Sequence, residues 1–224
     1  MIKSYFKSRF LNDRSLRTRI FLTCGLFFNL SYAVFKLVTG IIYHSSWFIS
    51  VAVYYILLSF NRFTVLKGFS TSLAFEETKQ RRLLEAKYCI MSGIMLLVTD
   101  IVISVIAGFM IYENRAFNYS GIIIYLSAFY TAYRLFSATC NLIKRRFFKT
   151  PLLRVATSLN LAVALMSVFT LQISLLAKYH SLTKSVRAAN ITTALIVLLS
   201  ITIIALIIII RSSKEYKKIK NTLR

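Results

Sequence analysis

Two histidines, seven acidic residues, six glycines and a single proline are all that 224 residues contain of these types. The scarcity removes whole classes of chemistry. His44 and His180 fall at the ends of apolar runs and are too few for an imidazole-based site. Paired carboxylates, a Ser-His-Asp set and a glycine-rich phosphate loop are missing too, and with them the usual machinery of hydrolases and nucleotide-binding enzymes. The chain does not read as an enzyme. Its three cysteines, Cys24, Cys89 and Cys140, lie inside apolar runs without metal-ligand spacing. They read as small buried hydrophobes, so neither a metal nor a cofactor is expected.

Apolar residues and positive charge are what the chain has in quantity. Hydrophobic residues make up 57% of it and the mean hydropathy is +0.66, above the half-apolar composition of soluble domains. About 20 apolar residues cross a bilayer. Six runs meet that length, at 20–43, 47–66, 88–111, 120–143, 152–178 and 188–210. The expected class is an all-α integral membrane protein, a six-transmembrane-helix bundle over 20–211. A basic segment (1–19) precedes it and a basic tail (212–224) follows it. The first run is too long for a signal peptide and no small-residue cleavage site follows it.

A net charge of +22 would point to nucleic acid in a soluble protein. Here the basic residues lie between apolar runs, so nucleic acid is not expected. The expected partner is the lipid bilayer, with anionic lipids on its cytoplasmic face. Lys and Arg number six in 1–19, six in 62–87, five in 144–154 and six in 211–224. The intervening connections hold none in 44–46, one in 112–119 and three in 178–187. Twenty-three against four predicts a multi-pass inner-membrane protein with both termini in the cytoplasm. Ile2, Phe6 and Phe10 stand four apart among basic residues, the pattern of a helix lying in the headgroup layer. Tyr43, Trp47, Tyr112, Tyr119 and Tyr179 read as an outer aromatic belt, with Phe147, Phe148 and Tyr216 on the inner side. Glu77 and Arg81, four apart between 67 and 87, predict that the third span continues there as a helix. Pro151 opens the fifth span, where its missing N–H costs nothing.

Polar residues interrupt the runs. The opening hairpin, folded back between Tyr43 and Trp47, carries Asn29, Tyr32, Lys36, Tyr54, Tyr55 and Asn61. A rise of 1.5 Å per residue converts position into depth from the cytoplasmic ends. Asp100, Tyr32 and Tyr54 then lie about 18 Å in, Tyr130 about 20 Å, Arg134 and Asn29 about 14 Å, Asn160 about 12 Å and Lys36 about 24 Å. Five spans thus send polar groups to one layer near the midplane. Asp100 is the sole acid at mid-span, where an isolated charge is costly. Arg134 is its expected partner by depth, and Lys36 the second choice. Two readings stay open. In one, an ion pair fixes helix packing and the tyrosines are hydrogen-bonded core aromatics. In the other, these groups line a pathway, and two bases against one acid favour a small anion or a lipid phosphate over a cation. A non-transporting scaffold or accessory subunit, and a homo-oligomer, fit the same pattern if a small-residue face receives a partner helix.

Asn29, Lys36 and Gly40 along the first span, followed by the Ser45-Ser46 turn, resemble the start of the transmembrane domain of cation diffusion facilitators. The run Thr150-Pro-Leu-Leu-Arg-Val-Ala-Thr-Ser158 resembles that family's lead into its second metal-binding helix. The resemblance covers about a third of the chain and implies a carrier scaffold. It does not extend to the metal ligands. Where the family places Asp or His pairs, this chain has Tyr54, Leu58, Ser158 and Ala162, none suited to a divalent ion. The cytoplasmic domain that usually follows the sixth span is missing as well. What the resemblance implies is a degenerate carrier, not a metal transporter.

Overall fold

A computed structural model describes residues 14–75, 78–113, 121–144, 150–179 and 184–221. They form six helices: α1 Arg14–Ile42, α2 Ser46–Ser72, α3 Thr78–Glu113, α4 Gly121–Lys144, α5 Pro151–Tyr179 and α6 Lys184–Asn221. Five of the six are long and apolar enough to cross a membrane. The remaining helix is α4, whose apolar run is diluted by Tyr125, Tyr130, Tyr133 and Arg134. The protein is therefore all-α and of membrane-spanning composition.

The α1–α2 hairpin is closed by three local devices. His44 takes a positive φ of 47°. Ser45 caps α2, its Oγ accepting from Phe48 N at 3.4 Å, while its own N–H donates to Gly40 O at 2.9 Å. A Cβ on Gly40 would stand 2.7 Å from Ile49 Cγ1 and 2.9 Å from Ile49 N. Only glycine lets the two helices come this close at the turn.

From the hairpin, α2 packs on α3, and α3 pairs closely with α6. α5 sits at the centre, touching α2, α3, α4 and α6. Its Ala156, Ala162, Val163 and Ala164 are buried, and small side chains there let its neighbours approach. Large apolar side chains such as Phe27, Ile41, Ile122, Phe129 and Phe136 point outward instead. That distribution suits a lipid solvent.

Several expectations need correction. The third span does continue into 67–87 as a helix, since α3 begins at Thr78, but α2 also runs on past 66 to Ser72. Within that segment Arg81 pairs with Glu85 at 3.3 Å, the one ion pair among the described residues; Glu77 lies outside them. Trp47 is not in an aromatic belt. It is fully buried, edge-on to Phe169 at 5.7 Å, because the tight turn tucks the start of α2 under α5. Tyr43 is exposed and Tyr216 half-buried. The other belt candidates (Tyr112, Tyr119, Phe147, Phe148 and Tyr179) and the segment 1–13 lie outside the described side chains. Of the cysteines only Cys89 is buried; Cys24 is exposed and Cys140 intermediate.

Candidate functional site: a buried cationic tier

Gly25, Asn29, Tyr32 and Lys36 are spaced four, three and four along α1, so they share one helix face. On α2, Tyr55 and Arg62 are seven apart and look the same way for the same reason. α4 contributes Ser127, Tyr130 and Arg134, and α5 contributes Asn160. α1 and α4 meet through side chains, in three successive layers.

In the layer nearest the hairpin, Lys36 Nζ donates to Ser127 Oγ at 2.9 Å. It also stands 4.2 Å from the Phe48 ring centroid and 5.3 Å from that of Tyr32. Six residues separate Lys36 from the end of α1 and Ser127 from the start of α4, about 9 Å of helix in each case. The lysine is thus fully buried and held by a hydroxyl and aromatic faces in place of a carboxylate. The middle layer is aromatic. Tyr32 and Tyr130 stack at 3.5 Å with an interplanar angle of 2°, and Tyr55 lies edge-on to both, at 4.9 and 6.1 Å.

The third layer holds two arginines. Arg134 Nε donates to Tyr130 Oη at 2.8 Å, with its guanidinium carbon 5.1 Å from the Tyr130 ring centre. Arg62 Nη2 donates to Asn160 Oδ1. Arg62 is 1% exposed and Arg134 3%. Each is ten residues from the C-terminal end of its helix, about 15 Å, while Asn160 is nine from the start of α5, about 14 Å. Arg62 lies within electrostatic reach of Arg134, Tyr130 and Tyr133. Among the described residues no partner is present for Arg62 Nε, Arg134 Nη2, Tyr55 Oη or either polar atom of Asn29. The Arg62 guanidinium fits because position 25 is glycine: a Cβ there would overlap Arg62 Nη1.

Asp100 belongs to a different set. Thr202 Oγ1 of α6 donates to its Oδ2, and its Oδ1 has no partner among the described residues. Tyr54 lies within its electrostatic reach, and Tyr54 Oη is likewise without a partner there. The expected Asp100–Arg134 pair does not form, and neither does the Asp100–Lys36 alternative. The reason is lateral position. α3 packs on α2, α5 and α6, whereas Arg134 looks toward α1. Depth along a helix axis says nothing about the direction in which a side chain leaves it.

Lys36, Tyr32, Tyr130 and Arg134 are thus brought into one chain of contacts, which Arg62 extends to Asn160. Asn29 shares their helix face, while Tyr54 and Asp100 stand apart. Arg62 is the residue that sequence reasoning missed, having been counted as a loop charge. The signal was present in the apolar residues that continue past it, at Phe63, Val65, Leu66 and Phe69.

Among the described residues no three His, Cys, Asp or Glu side chains come together as a metal site would require. At the positions of the resemblance, Ser158 Oγ donates to its own helix, to Arg154 O at 3.1 Å, and Leu58 and Ala162 are core. The chain matches no protein-family model, and no curated protein and no solved structure is significantly similar to it.

Proposed function

We propose that this is a six-span inner-membrane protein, both termini cytoplasmic, whose carrier-like bundle binds and moves a small anion or a lipid phosphate. One observation carries the reading: Lys36, Arg62 and Arg134 are buried and none is ion-paired among the described residues. Uncompensated buried cations are costly, and an anionic ligand is the partner that repays the cost. Moving Arg62 into the bundle changes the charge count to 22 against four, which still supports cytoplasmic ends. Purified protein in proteoliposomes should show saturable anion uptake, reduced at least tenfold by Arg134→Gln. Uptake indifferent to that change, under any anion tried, counts against transport through this tier. For orientation, cysteines placed at Ser46 and at Lys79 or Lys214 in a cysteine-free background should be labelled by an impermeant thiol reagent in whole cells only at Ser46. Labelling at the other two positions reverses the topology.

A second reading has its own support. The stacked Tyr32–Tyr130 pair with Tyr55 across its edge is a closely packed aromatic plug. A closed tier of that kind suits a scaffold or accessory subunit, alone or as a homo-oligomer. Such a protein should bind no anion at all.

A further inference from the structure

Resting on the anion reading above, we infer that the two guanidinium groups of Arg62 and Arg134, with the Asn29 amide, form a seat for a phosphate-type tetrahedral oxyanion, and that Lys36 is not part of it. The division follows from what each cation already holds. Lys36 is engaged by Ser127 and by the faces of Phe48 and Tyr32. The arginines keep N–H donors without partners, Nε on Arg62 and Nη2 on Arg134. Both side chains are more than nine-tenths buried. Two like charges set within reach of each other repel, and a dianion or monoanion between them turns the repulsion into attraction.

The donor type selects the ligand. Guanidinium groups present planar forks that match oxygen pairs of phosphate or carboxylate, whereas a spherical halide uses only their charge. Asn29, fully buried with both amide atoms unpartnered among the described residues, adds a neutral N–H donor on the α1 face that also carries Gly25. Asn160 and Tyr130 each hold one nitrogen of their arginine, so the forks are oriented in advance. Above this layer the α1–α4 seam is covered by Phe28 and Tyr133, half-exposed rings 5.4 Å apart. The phosphate group has two possible sources, free phosphate or a lipid headgroup.

The test is ligand-dependent thermal stability of the full chain, read by the fluorescence of its single tryptophan, Trp47. Protein in maltoside micelles, which carry no phosphate, is heated with inorganic phosphate, with chloride at equal ionic strength, and with phosphatidic acid added to the micelles. A ligand at a hundredfold excess over its Kd should raise the midpoint by roughly 5–10 °C for a chain of this size. A shift with phosphate and none with chloride supports the seat with a free oxyanion; a shift with phosphatidic acid alone supports it with a lipid headgroup. In either case Arg62→Gln should abolish the shift. Arg134→Lys keeps the charge but loses the fork, and Gly25→Ala keeps every charge but displaces Arg62; both should cut it at least threefold. These two variants decide the matter if Arg62→Gln does not fold. Equal shifts with chloride and phosphate overturn the oxyanion seat and leave the broader anion reading standing. A phosphate shift that survives the variants that fold places the ligand elsewhere and overturns the seat. No shift with any of the three overturns the seat and the anion reading together.

Discussion

The two sides of α2 handle buried charge in opposite ways. Toward α1 and α4 it presents Tyr55 and Arg62, and the layers there hold three cations that no acid among the described residues pairs. Toward α3 it presents Tyr54, Asn61 and Gly68, and beyond lies Asp100 without a base. Tyr54 and Tyr55 are neighbours in sequence and touch edge to face at 5.8 Å, yet one lies within reach of Asp100 and the other of Arg134. Opposite charges in a low-dielectric interior attract strongly, so keeping them on either side of one helix forgoes a neutralisation that a purely structural pair would use. The α3 side, by contrast, has a reciprocal polar link across the helices, although Tyr54 Oη and Asp100 Oδ1 keep no partner among the described residues. Asn61 Nδ2 donates to Ser92 O at 2.9 Å, Ser92 Oγ donates back to Asn61 Oδ1 at 2.5 Å, and Thr202 satisfies one oxygen of Asp100. One side of the helix is stapled by Asn61 and Ser92, and the other holds cationic donors to spare.

The largest effect that would sharpen this contrast belongs to Arg62 and Asn160. A hydrogen bond to a charged group contributes about 1.5–3 kcal/mol. A double-mutant cycle of Arg62→Met and Asn160→Leu, read from unfolding of the full chain, should show coupling of about that size. The Arg62→Met change alone should cost little, and it raises stability if removing a desolvated cation outweighs the lost bond. A large loss from Arg62→Met together with no coupling to Asn160 would mean that the arginine is held by something else. On the α3 side, Ser92→Ala removes one of two reciprocal neutral bonds and should cost about 0.5–1.5 kcal/mol. No measurable loss there would break the picture of α2–α3 as a polar-stapled wall.

How much of this was legible beforehand differs between axis and azimuth. Element positions followed from apolar runs and from punctuation at Tyr43–Trp47 and Pro151, because length and turn chemistry are local properties. The error at Arg62 came from counting it with the cytoplasmic charges of 62–87, although it falls inside the apolar run 47–66. An arginine inside a helix with apolar residues on both sides is rare, and no local feature distinguishes it from a loop residue except the continuation of the run to Phe69. The layer of polar residues could be placed by counting, since rise per residue is nearly constant. Which of them meet could not, because that depends on how α1, α4 and α5 lie toward one face of α2 while α3, with α6 packed on it, covers the other. The stripe Gly25, Asn29, Tyr32 and Lys36 was present in the sequence, and its periodicity marks a shared face. Glycine's part in it, as the space for a guanidinium, becomes visible only when α2 is laid alongside.

The smallest expected effect is the most decisive for the comparison, because it is close to zero. Asp100 and Arg134 look like partners by depth and charge, and a pair of that kind, broken on one side, loses about 3–5 kcal/mol. Here Asp100 is engaged by Thr202 with Tyr54 in reach, and Arg134 by Tyr130 with Arg62 in reach; no immediate neighbour is common to the two. Substitutions at sites without shared partners add to within about 0.3–0.5 kcal/mol. Asp100→Asn keeps an oxygen that can accept from Thr202 and leaves no cation stranded, so it should shift the unfolding midpoint only slightly. Combined with Arg134→Gln, its effect should simply add. Coupling well above that range would show that the acid and the base do meet, across α2 or around it. The positive charge of the tier would then be partly neutralised from within, and the case for an anion as its missing partner would weaken in proportion.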